Sequence, residues 1–486
     1  MSFVASEYHW FYQLRPCSLR VYLRAKGMPP GEPDVYHKLL ERLGQRHEQR
    51  HLKQFAEFFH AHGNIEETKA AFTQKERVIY QPAMRVNHPE YGEIAGVPDF
   101  FIREDDGYLI RDCKLPQRFS EDDHPEIFRQ LELYGWLYEQ TFGNPPKRLE
   151  AYMGDGQLQV VPYQPRRALE VLAFINDIKQ LTEEPFEPVG WSKCLDCGYN
   201  EFCWTRARER HAVALLPGVD QPLARMLHEQ GSRTYDELLE WHTEATLADV
   251  TKGRGKRAGK VGGAAGKILN HARAFKSGAI IPLNGPAVKK AANLVMFDVE
   301  GIPVHLDHSE KTYLWGLKVF GEKPRSYSAA LATAKPEGDR DGWQKFLAQC
   351  AAIFAEYGSI TFVHWSSYER TRLRKYVKKY GDNDGVAARV LENLYDLLPV
   401  VEGTFVIPTP SYGLKLIERF AGYTRTLTDA GGKWSMATYI EAVETEDPDQ
   451  AARLMGEILK YNEEDLDAMW FVYQWIVGKS QELVRD

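Results

Sequence analysis

The stretch that decides the first fold is residues 96–116, GVPDFFIREDDGYLIRDCKLP. Its apolar runs, separated by a turn rich in Asp and Gly, predict a hairpin of two strands. Because side chains alternate between the faces of a strand, Asp112 and Lys114 share one face and Cys113 points into the core. Asp99 falls on the preceding strand. We therefore expect Asp99, Asp112 and Lys114 to converge at one edge of a sheet.

Two carboxylates and a lysine in one place suit the hydrolysis of phosphodiesters. Carboxylates hold Mg²⁺ or Mn²⁺, which polarises the phosphate and activates a water molecule. A lysine ammonium offsets the charge that develops in the transition state and orients the water. The alternative interpretation is a solvated hairpin with scattered charges, because a D…D-x-K pattern is common by itself.

The segments around this stretch predict a mixed α/β domain. Apolar residues at helical spacing alternate along the chain with short, turn-bounded strands. The expected elements are helices over 1 to about 62, 125–142 and 165–183, strands over 76–115, and a hairpin over 149–163 that turns at Asp155-Gly156.

Polar residues in two of these helices add to the pattern. His47 follows Gly44 by three residues, and histidine is a good ligand for Mn²⁺. The adjacent Glu48 could be the acid instead. Gln130 and Tyr134 are four residues apart, so they share one face of the long helix.

In this order, the G-x-x-H, P-D, D-x-K and Q-x-x-x-Y motifs resemble the RecB-like branch of the PD-(D/E)xK nucleases over residues 1–210. The resemblance implies a restriction-endonuclease-like fold and a metal-dependent nuclease. The implied site consists of the metal ligands His47, Asp99, Asp112 and the Cys113 carbonyl, the catalytic Lys114, and the supporting Gln130 and Tyr134.

The cysteines indicate a second kind of metal site. Of six cysteines, three form a C-x2-C-x5-C group at Cys194, Cys197 and Cys203. Disulfides are rare in a reducing cytoplasm, so this group favours metal. A fourth ligand could come from Cys17, Cys113, Cys350 or a histidine, and Cys17 fits best.

The spacing alone does not choose the metal, and zinc bound by four cysteines is an alternative. A distant N-terminal cysteine joined to a C-terminal trio resembles the [4Fe–4S] staple of the RecB-like nucleases that carry a cluster. The resemblance implies that Cys17, Cys194, Cys197 and Cys203 bind this cluster. A cluster that joins Cys17 to the other three cysteines would close a loop of well over a hundred residues. We therefore expect the cluster to have a structural role.

Residues 211–285 differ in composition and predict a small helical linker. LLPGVDQPLARMLHEQGSRTYDELLEW (215–241) resembles a helix-hairpin-helix unit, in which backbone N–H groups meet a phosphate. Leu216 to Val219 would form its hairpin turn. The segment 252–276 follows with eight Lys or Arg and no acid, which attracts a phosphate backbone. The alternative is a helical spacer with a solvated basic loop.

A second group of acids lies in residues 286–486. In LVMFDVE, Asp298 and Glu300 project from one face of a strand. Tyr461 and Asp465 share a helix face near the C-terminus. Glu369 follows another strand. Four acids of this kind can hold two metal ions about 4 Å apart, with Tyr461 aligning the attacking water.

These residues resemble the DEDD exonucleases of the ribonuclease H-like superfamily, in the subgroup that ends in Y-x-x-x-D. That family places Asp in its middle motif, where this chain has Tyr368-Glu369. The longer Glu369 puts the second metal and the activity in doubt. Asp396 is another acid that could contribute.

The bulk composition is that of a globular protein with two or three domains: 486 residues, 43% hydrophobic, with a net charge of −7. A negative total does not exclude nucleic acid, because binding depends on local patches. The sequence predicts no membrane span and no signal peptide, so the cytoplasm is the expected compartment.

The order of these domains resembles a family of RecB-like nucleases with a C-terminal ribonuclease H-like domain. We therefore expect an exonuclease that acts on DNA, with single-stranded ends as the preferred substrate, in repair or in processing of foreign DNA. One alternative is a nucleic-acid-binding scaffold with decayed sites. The other is a nuclease active only through the C-terminal site, with RNA as a possible substrate.

Overall fold

A computed structural model describes residues 2–12, 16–117, 119–253, 258–283, 285, 288–306, 310–333, 338–427 and 430–482. The chain divides into two compact units. The first comprises Met1–Glu187 with Ser192–Cys203, and the second comprises Pro188–Trp191 with Trp204–Asp486. The division predicted from the sequence, with boundaries at 210 and 285, stays a prediction.

The first unit is built on a mixed sheet in the order β2-β3-β6-β7-β8-β9, beside a smaller sheet in the order β1-β5-β4. The strands are β1 Ser2–Val4, β2 Phe59–His60, β3 Val78–Tyr80, β4 Met84–His88, β5 Gly92–Gly96, β6 Phe100–Glu104, β7 Gly107–Lys114, β8 Leu149–Met153 and β9 Leu158–Val161. The helices are α1 Ser6–Tyr12, α2 Ser18–Ala25, α3 Val35–Leu52, α4 Ile65–Thr73, α5 Pro125–Phe142 and α6 Pro165–Gln180.

The β6–β7 hairpin, predicted from residues 96–116, is confirmed. The strands pair antiparallel, with Phe100 opposite Arg111 and Glu104 opposite Gly107 at the turn. Asp99 lies immediately before β6 rather than within it. β7 also pairs with β8 in parallel, so the strand that carries the D-x-K motif lies inside the sheet.

Helix α5 spans Pro125–Phe142, the bounds that its apolar periodicity predicted. A proline in its first turn suits a helix start, and Gly143 ends it with a φ of +79°. Its Leu131, Leu133 and Leu137 are fully buried in the core of the unit. This packing fixes the helix that carries Gln130 and Tyr134.

The helical expectation for residues 1 to about 62 is only partly right. Ser2–Val4 is a strand that pairs in parallel with residues 93–95 of β5. Its Phe3 is fully buried. So short a strand is stable only through a partner some ninety residues away, and local periodicity carries no trace of that partner.

The second unit is built on a sheet in the order β15-β14-β13-β16-β17. After α7 Trp191–Cys194 and α8 Asn200–Glu209, where the division between units falls, its helices are α9 Gln221–Glu229, α10 Tyr235–Trp241, α11 Glu244–Asp249, α12 Ala265–Ser277, α13 Gly338–Tyr357, α14 Tyr368–Tyr380, α15 Val386–Glu392, α16 Leu397–Thr404, α17 Leu414–Ala421, α18 Gly432–Glu444 and α19 Pro448–Glu482. Its strands are β10 Thr251–Lys252, β11 Gly259–Lys260, β12 Ile281–Pro282, β13 Asn293–Ile302, β14 Lys311–Gly321, β15 Arg325–Leu331, β16 Thr361–His364, β17 Leu394–Asp396 and β18 Phe405–Val406.

Both faces of this sheet are covered by helices. Val295 and Phe297 of β13 belong to a core with residues of α13 and α14. Leu294 and Met296 face a second core with residues of α16 and α19. The alternation along β13 therefore assigns the even-numbered residues, Asp298 among them, to the face that α19 covers.

The predicted basic segment is divided between two kinds of structure. Its first part contributes to a short antiparallel β10–β11 hairpin, and its second part lies in α12. Residues 254–257 lie outside the described residues. Within the described part of the chain, no helix combines the length and apolar character that crossing a bilayer requires.

Candidate active sites

The N-terminal site lies where β7 passes the turn before β6. Lys114 Nζ lies 2.6 Å from Asp112 Oδ2, so the two residues share the face that the alternation predicted. The backbone N–H of Asp99 donates to Asp112 Oδ1 at 3.2 Å. The backbone N–H of Cys113 donates to Asp99 Oδ2 at 2.6 Å. Asp99, Asp112 and Lys114 therefore meet as predicted.

Helix α5 supplies a hydrogen-bonded support for the lysine. Lys114 Nζ donates to Gln130 Oε1 at 2.8 Å. Gln130 Nε2 donates to the Tyr134 hydroxyl, which donates to the Val97 carbonyl, both at 3.2 Å. The chain of bonds holds the ammonium between helix and strand. Gln130 and Tyr134 thus position Lys114 rather than lying apart from it.

Electrostatics in this site favour a bound cation. Burial, with the negative charges of Asp112 and Glu48, raises the pKa of Asp99 well above its ordinary value. Burial works to lower the pKa of Lys114, but Asp112 and Asp99 raise it overall. The lysine therefore stays charged, while the carboxylates repel one another. A divalent cation would relieve that repulsion, and carboxylate oxygens are the ligands that Mg²⁺ prefers.

The structure does not bring His47 together with these acids. His47 Nε2 lies 3.0 Å from the Tyr152 carbonyl, and its ring stacks on Tyr152. Glu48 acts on the site instead, because its charge raises the pKa of Asp99. Its Oε1 accepts from the Tyr80 hydroxyl at 2.6 Å. Adjacent residues on a helix point about 100° apart, so His47 and Glu48 face different neighbours. A role for His47 as a metal ligand stays a prediction.

Cys113 lies where the alternation predicted. Its side chain packs against an apolar cluster on the other side of β7, formed by Leu52, Val78, Tyr80 and Phe100. Burial raises the pKa of the Cys113 thiol. A role for its carbonyl as a metal ligand stays a prediction.

The C-terminal site is a compact group of carboxylates. Ligand oxygens of Asp298, Glu300 and Asp465 all lie within 4.8 Å of one another. Among the described residues this is the one group of three or more such side chains that is so compact. Strand β13 provides the first two acids and helix α19 provides the third. This arrangement fits a divalent cation.

Each of the three carboxylates has a defined partner. Asp298 Oδ2 accepts from Asn462 Nδ2 at 2.6 Å. Glu300 Oε2 accepts from the Tyr313 hydroxyl at 3.2 Å. Asp465 Oδ1 lies 2.6 Å from Arg425 Nη1. These contacts hold the acids in place before any ion is bound.

The carboxylates destabilise each other's charged forms. Burial, with the charge of Asp465, raises the pKa of Glu300 to about 8. Burial raises the pKa of Asp298 well above its ordinary range, with contributions from Asp465, Glu300 and Glu369. The negative charges of these acids repel one another, and a bound cation would reduce that repulsion.

Tyr461 lies inside this site. It is 3% exposed, and burial with the charges of Asp465 and Glu300 raises its pKa well above the ordinary value. A hydrogen bond from Tyr461 acts to lower the pKa of Asp465. The neutral hydroxyl is therefore placed beside the clustered acids.

Glu369 is not part of the compact group. It lies in the first turn of α14, and its Oε2 is 3.3 Å from His364 Nδ1. The side chain of Asp396 binds the backbone: its Oδ1 accepts hydrogen bonds from Ser366 N at 2.9 Å and from Leu398 N at 3.2 Å. The structure thus brings three of the four predicted acids together.

Cys17 lies beside the C-terminal cysteines of the first unit. Cys17, Cys197 and Cys203 pack against one small cluster of Leu19, Leu23 and Tyr199. Burial, with the nearby charge of Glu187, raises the pKa of Cys17 to about 11. Further bonds tie the segments, since Gly31 N donates to Gly198 O and the Tyr199 hydroxyl donates to Met28 O, both at 2.8 Å.

The fit of these thiols to a metal differs from that of the acids. No three of them, within the described residues, have all their sulfur atoms within 4.8 Å. A tetrahedral zinc ion with Zn–S bonds of about 2.3 Å holds its sulfurs closer than that. All six cysteines are free of disulfides.

Several site residues carried no signal that sequence reasoning used. Asn462 stands next to Tyr461, and its spacing of three residues from Asp465 on a helix could have drawn attention. Arg425 and Lys415 lie in segments without a recognisable motif. The bonds of Glu48 to Tyr80 join positions 32 residues apart, which no local pattern reveals.

Two family models of known proteins match the chain. Residues 15–204 match the family model of the PD-(D/E)XK nuclease superfamily. Residues 295–477 match the family model RNase_H_2 of the RNase H superfamily. No curated protein matches the chain. A solved structure titled "Crystal structure of SSO0001" matches at 14% identity over 34% of this chain and 94% of that chain, with a TM-score of 0.19.

Both matches are to nuclease superfamilies, and they place the protein among the metal-dependent nucleases. In particular, a PD-(D/E)XK-like domain in the N-terminal half is followed by an RNase H-like domain in the C-terminal half. The mixed α/β, multidomain organisation predicted from the sequence is confirmed.

Proposed function

We propose that the protein is an exonuclease that hydrolyses DNA, with single-stranded ends as its substrate, in repair or in processing of foreign DNA. The observation that carries this proposal is the convergence of Asp99, Asp112 and Lys114, with the lysine held 2.6 Å from Asp112. These groups are the minimum that phosphodiester hydrolysis needs. The clustered carboxylates of Asp298, Glu300 and Asp465 in the second unit support a second phosphodiesterase site.

Each side chain of the N-terminal site has a separate task. Asp99 and Asp112, with Glu48 beside them, would hold Mg²⁺ or Mn²⁺, which supplies Lewis-acid activation of water and phosphate. Lys114 offsets the charge that develops on the phosphate oxygens. Gln130 holds the ammonium in place through its bond of 2.8 Å.

In the C-terminal site, Asp298, Glu300 and Asp465 would hold the divalent cation, and Tyr461 would align a water molecule. The compactness of these three acids favours one alternative function, in which only the C-terminal site cleaves nucleic acid. In that alternative the substrate can also be RNA. A nucleic-acid-binding scaffold remains the other alternative, and activity assays separate all three.

The decisive experiment compares two variants on end-labelled single-stranded DNA in Mn²⁺. We expect Asp112→Asn to lose at least about a hundredfold in rate, because a metal ligand is lost. Asp298→Asn should retain this cleavage. The matched control is Asp106→Asn at the turn of the same hairpin, whose side chain is 85% exposed and pairs with Lys147. Unchanged cleavage by Asp112→Asn, together with loss in Asp298→Asn, would favour the C-terminal alternative.

Substrate choice is tested on the wild type in the same assay. Single-stranded DNA, duplex DNA and RNA of one sequence are compared, with label at either end. Faster release of short products from single-stranded DNA supports the proposal. Cleavage of RNA alone, or of internal bonds before the ends, contradicts it.

We also propose that Cys17, Cys194, Cys197 and Cys203 bind a [4Fe–4S] cluster as a structural staple. The packing of Cys17 against the same small apolar cluster as Cys197 and Cys203 supports this assignment. Protein purified without oxygen should be brown, with a broad band near ~400 nm. Cys17→Ser should lose the band, and Cys350→Ala, in the second unit, should keep it. Stoichiometric zinc, or no metal, would contradict the cluster.

We further propose that residues 211–285 form a separate helix-hairpin-helix and basic linker that contacts DNA. The turn from Leu216 to Val219 leads into α9, and Gly218 has the φ of +89° that such a turn uses. Replacing Lys267 and Arg273 with Gln should weaken DNA binding and flatten its dependence on salt. An unchanged salt slope would leave these residues as part of a spacer.

A further inference from the structure

Strand β2 and the residues beside it carry aromatic side chains on one face. Phe58, His60 and His62 alternate with Phe59 and Ala61, and side chains two residues apart in an extended segment point to the same side. Phe59 and Ala61 pack into the core of the first unit, where Ala61 is fully buried. The other three side chains therefore point away from that core.

The rings on this face contact one another and Tyr80 of β3. The centre of the His60 ring lies 3.7 Å from that of His62 and 4.7 Å from that of Tyr80. Phe58 meets the Tyr80 ring edge-on, with 6.1 Å between their centres. We call Phe58, His60, His62 and Tyr80 the aromatic row. Tyr80 is buried, whereas Phe58 is 44% exposed and His62 is exposed, so the row presents ring surface to solvent.

The aromatic row is hydrogen-bonded to the N-terminal site. The Tyr80 hydroxyl donates to Glu48 Oε1 at 2.6 Å. Gln81 Nε2 donates to the same oxygen at 3.1 Å, and Gln81 Oε1 lies 3.1 Å from His60 Nε2. The backbone N–H of Gln81 donates to the Asp99 carbonyl at 2.7 Å. The rings therefore lie beside two acids of the site, Glu48 and Asp99.

The backbone that carries these rings has an uncommon conformation. His62 and Gln81 each have a φ of +50°, a region that residues other than glycine rarely adopt. Their segments are bonded to each other, since Ala61 N donates to Tyr80 O at 2.9 Å and Gly63 N donates to Gln81 O at 3.0 Å. Conformations of this kind persist only where the surrounding contacts enforce them, and they are concentrated at functional sites.

Exposed rings beside a phosphodiesterase site suit the bases of a single strand. Every base has a flat face that stacks on an aromatic ring, whatever the sequence. Bases in a duplex are already stacked and paired, and they must be pulled out of the helix before they can lie on a protein ring. A single strand whose phosphate lies at Asp99 would bring its adjoining bases to the side chains next to that acid.

We propose that the aromatic row binds bases of single-stranded DNA next to the phosphate at the N-terminal site. Phe58 and His62 provide the stacking surfaces, and His60 and Tyr80 hold them in place. This inference rests on the proposed function, because it takes the N-terminal site as the place of cleavage. It gives a physical reason for a preference for single-stranded ends, since the row selects accessible bases rather than a sequence.

The test compares an ordinary single strand of DNA with an oligonucleotide of equal length whose sugars carry no bases. Binding to the full-length chain is followed by the fluorescence anisotropy of an end label, in EDTA so that no metal-dependent cleavage occurs. We expect the parent protein to bind the ordinary strand about tenfold more tightly, because stacked bases contribute to affinity. Phe58→Ala combined with His62→Ala should bind the two strands about equally. A tenfold preference that survives this double change overturns the inference.

Two further variants separate stacking from a general loss of structure. Phe58→Trp keeps an aromatic ring and should keep the preference, so its loss in this variant contradicts a stacking role. Phe174→Ala is the matched control, because Phe174 of α6 is 48% exposed and likewise meets a ring, that of Phe11, edge-on. It should keep the preference, and a loss as large as that of the double variant contradicts the assignment to this row.

Cleavage in Mn²⁺ is measured separately on the same proteins. Equal binding of the two strands by a parent protein that cleaves single-stranded DNA overturns this inference and leaves the proposed function standing. A parent protein that cleaves no DNA contradicts the proposed function. If that protein still prefers the ordinary strand through Phe58 and His62, the aromatic row remains a binding site for DNA bases.

Discussion

Asn462 occupies the space that Gly316 leaves open on the neighbouring strand. A Cβ at position 316 would lie 1.8 Å from Asn462 Oδ1. Gly316 is also the residue paired with Asp298 across β13 and β14. The absence of a side chain on one strand therefore lets the asparagine of α19 reach the aspartate on the next.

Gly316→Ala should displace Asn462 and disturb Asp298. We expect a loss of about 1–3 kcal/mol in the free energy of unfolding, because extra volume is forced into a packed core. Mn²⁺ binding by the C-terminal site should weaken as well. The control is Gly456→Ala in α19, where a Cβ meets nothing within 4 Å and alanine favours the helix. Equal effects of the two changes in urea unfolding would contradict this account.

Gln130→Ala should slow cleavage by the N-terminal site about ten- to a hundredfold, because Lys114 loses the bond that orients it. Lys114 keeps its ion pair with Asp112, so some activity should remain. Tyr134→Phe should have a smaller effect, since it removes only the outer bond of the chain. Single-turnover rates on single-stranded DNA measure both. A larger loss in Tyr134→Phe than in Gln130→Ala would reverse the assigned order.

Arg425→Ala should strongly destabilise the second unit. Arg425 pairs with Glu418, and their side chains are 7% and 4% exposed. Without the guanidinium, Glu418 and Asp465 are buried acids that lack a positive partner. We expect this to lower the free energy of unfolding by about 3–5 kcal/mol. The exposed pair of Arg166 and Glu170 is the control, with Arg166→Ala expected to cost about 0–1 kcal/mol. Denaturant unfolding compares them, and similar costs would mean that burial does not govern these pairs.

His271 should make the second unit less stable in acid. The imidazole is fully buried, and burial with the charge of Lys267 lowers its pKa to about 4. The unfolded chain binds a proton near pH 6.5. Its contribution to stability is therefore complete above pH 6.5 and is lost as the pH falls towards 4.

The measurement is the thermal midpoint of the second unit between pH 7 and pH 4.5. His271→Phe keeps an aromatic ring beside Tyr412 and cannot be protonated. Its midpoint should fall less steeply than that of the wild type. Parallel curves for the two proteins would show that His271 does not contribute to the acid sensitivity.

The sequence by itself determined the local parts of both sites. The period of a strand placed Asp112 with Lys114, and Asp298 with Glu300, because alternation needs no knowledge of the partner strand. The period of a helix gave the bounds of α5 and the shared face of Gln130 and Tyr134. Motif order gave the two nuclease domains, which the family comparisons confirm.

The tertiary structure alone decided which neighbours meet across the fold. The packing of α3 set His47 against Tyr152 and Glu48 against Tyr80. The packing of α19 on the sheet brought Asn462 to Asp298 and Asp465 to Arg425. The strand Ser2–Val4 exists only through its pairing with β5. In each case, the contact joins residues that the local sequence does not connect, and its geometry depends on how whole elements pack, which no short-range pattern encodes.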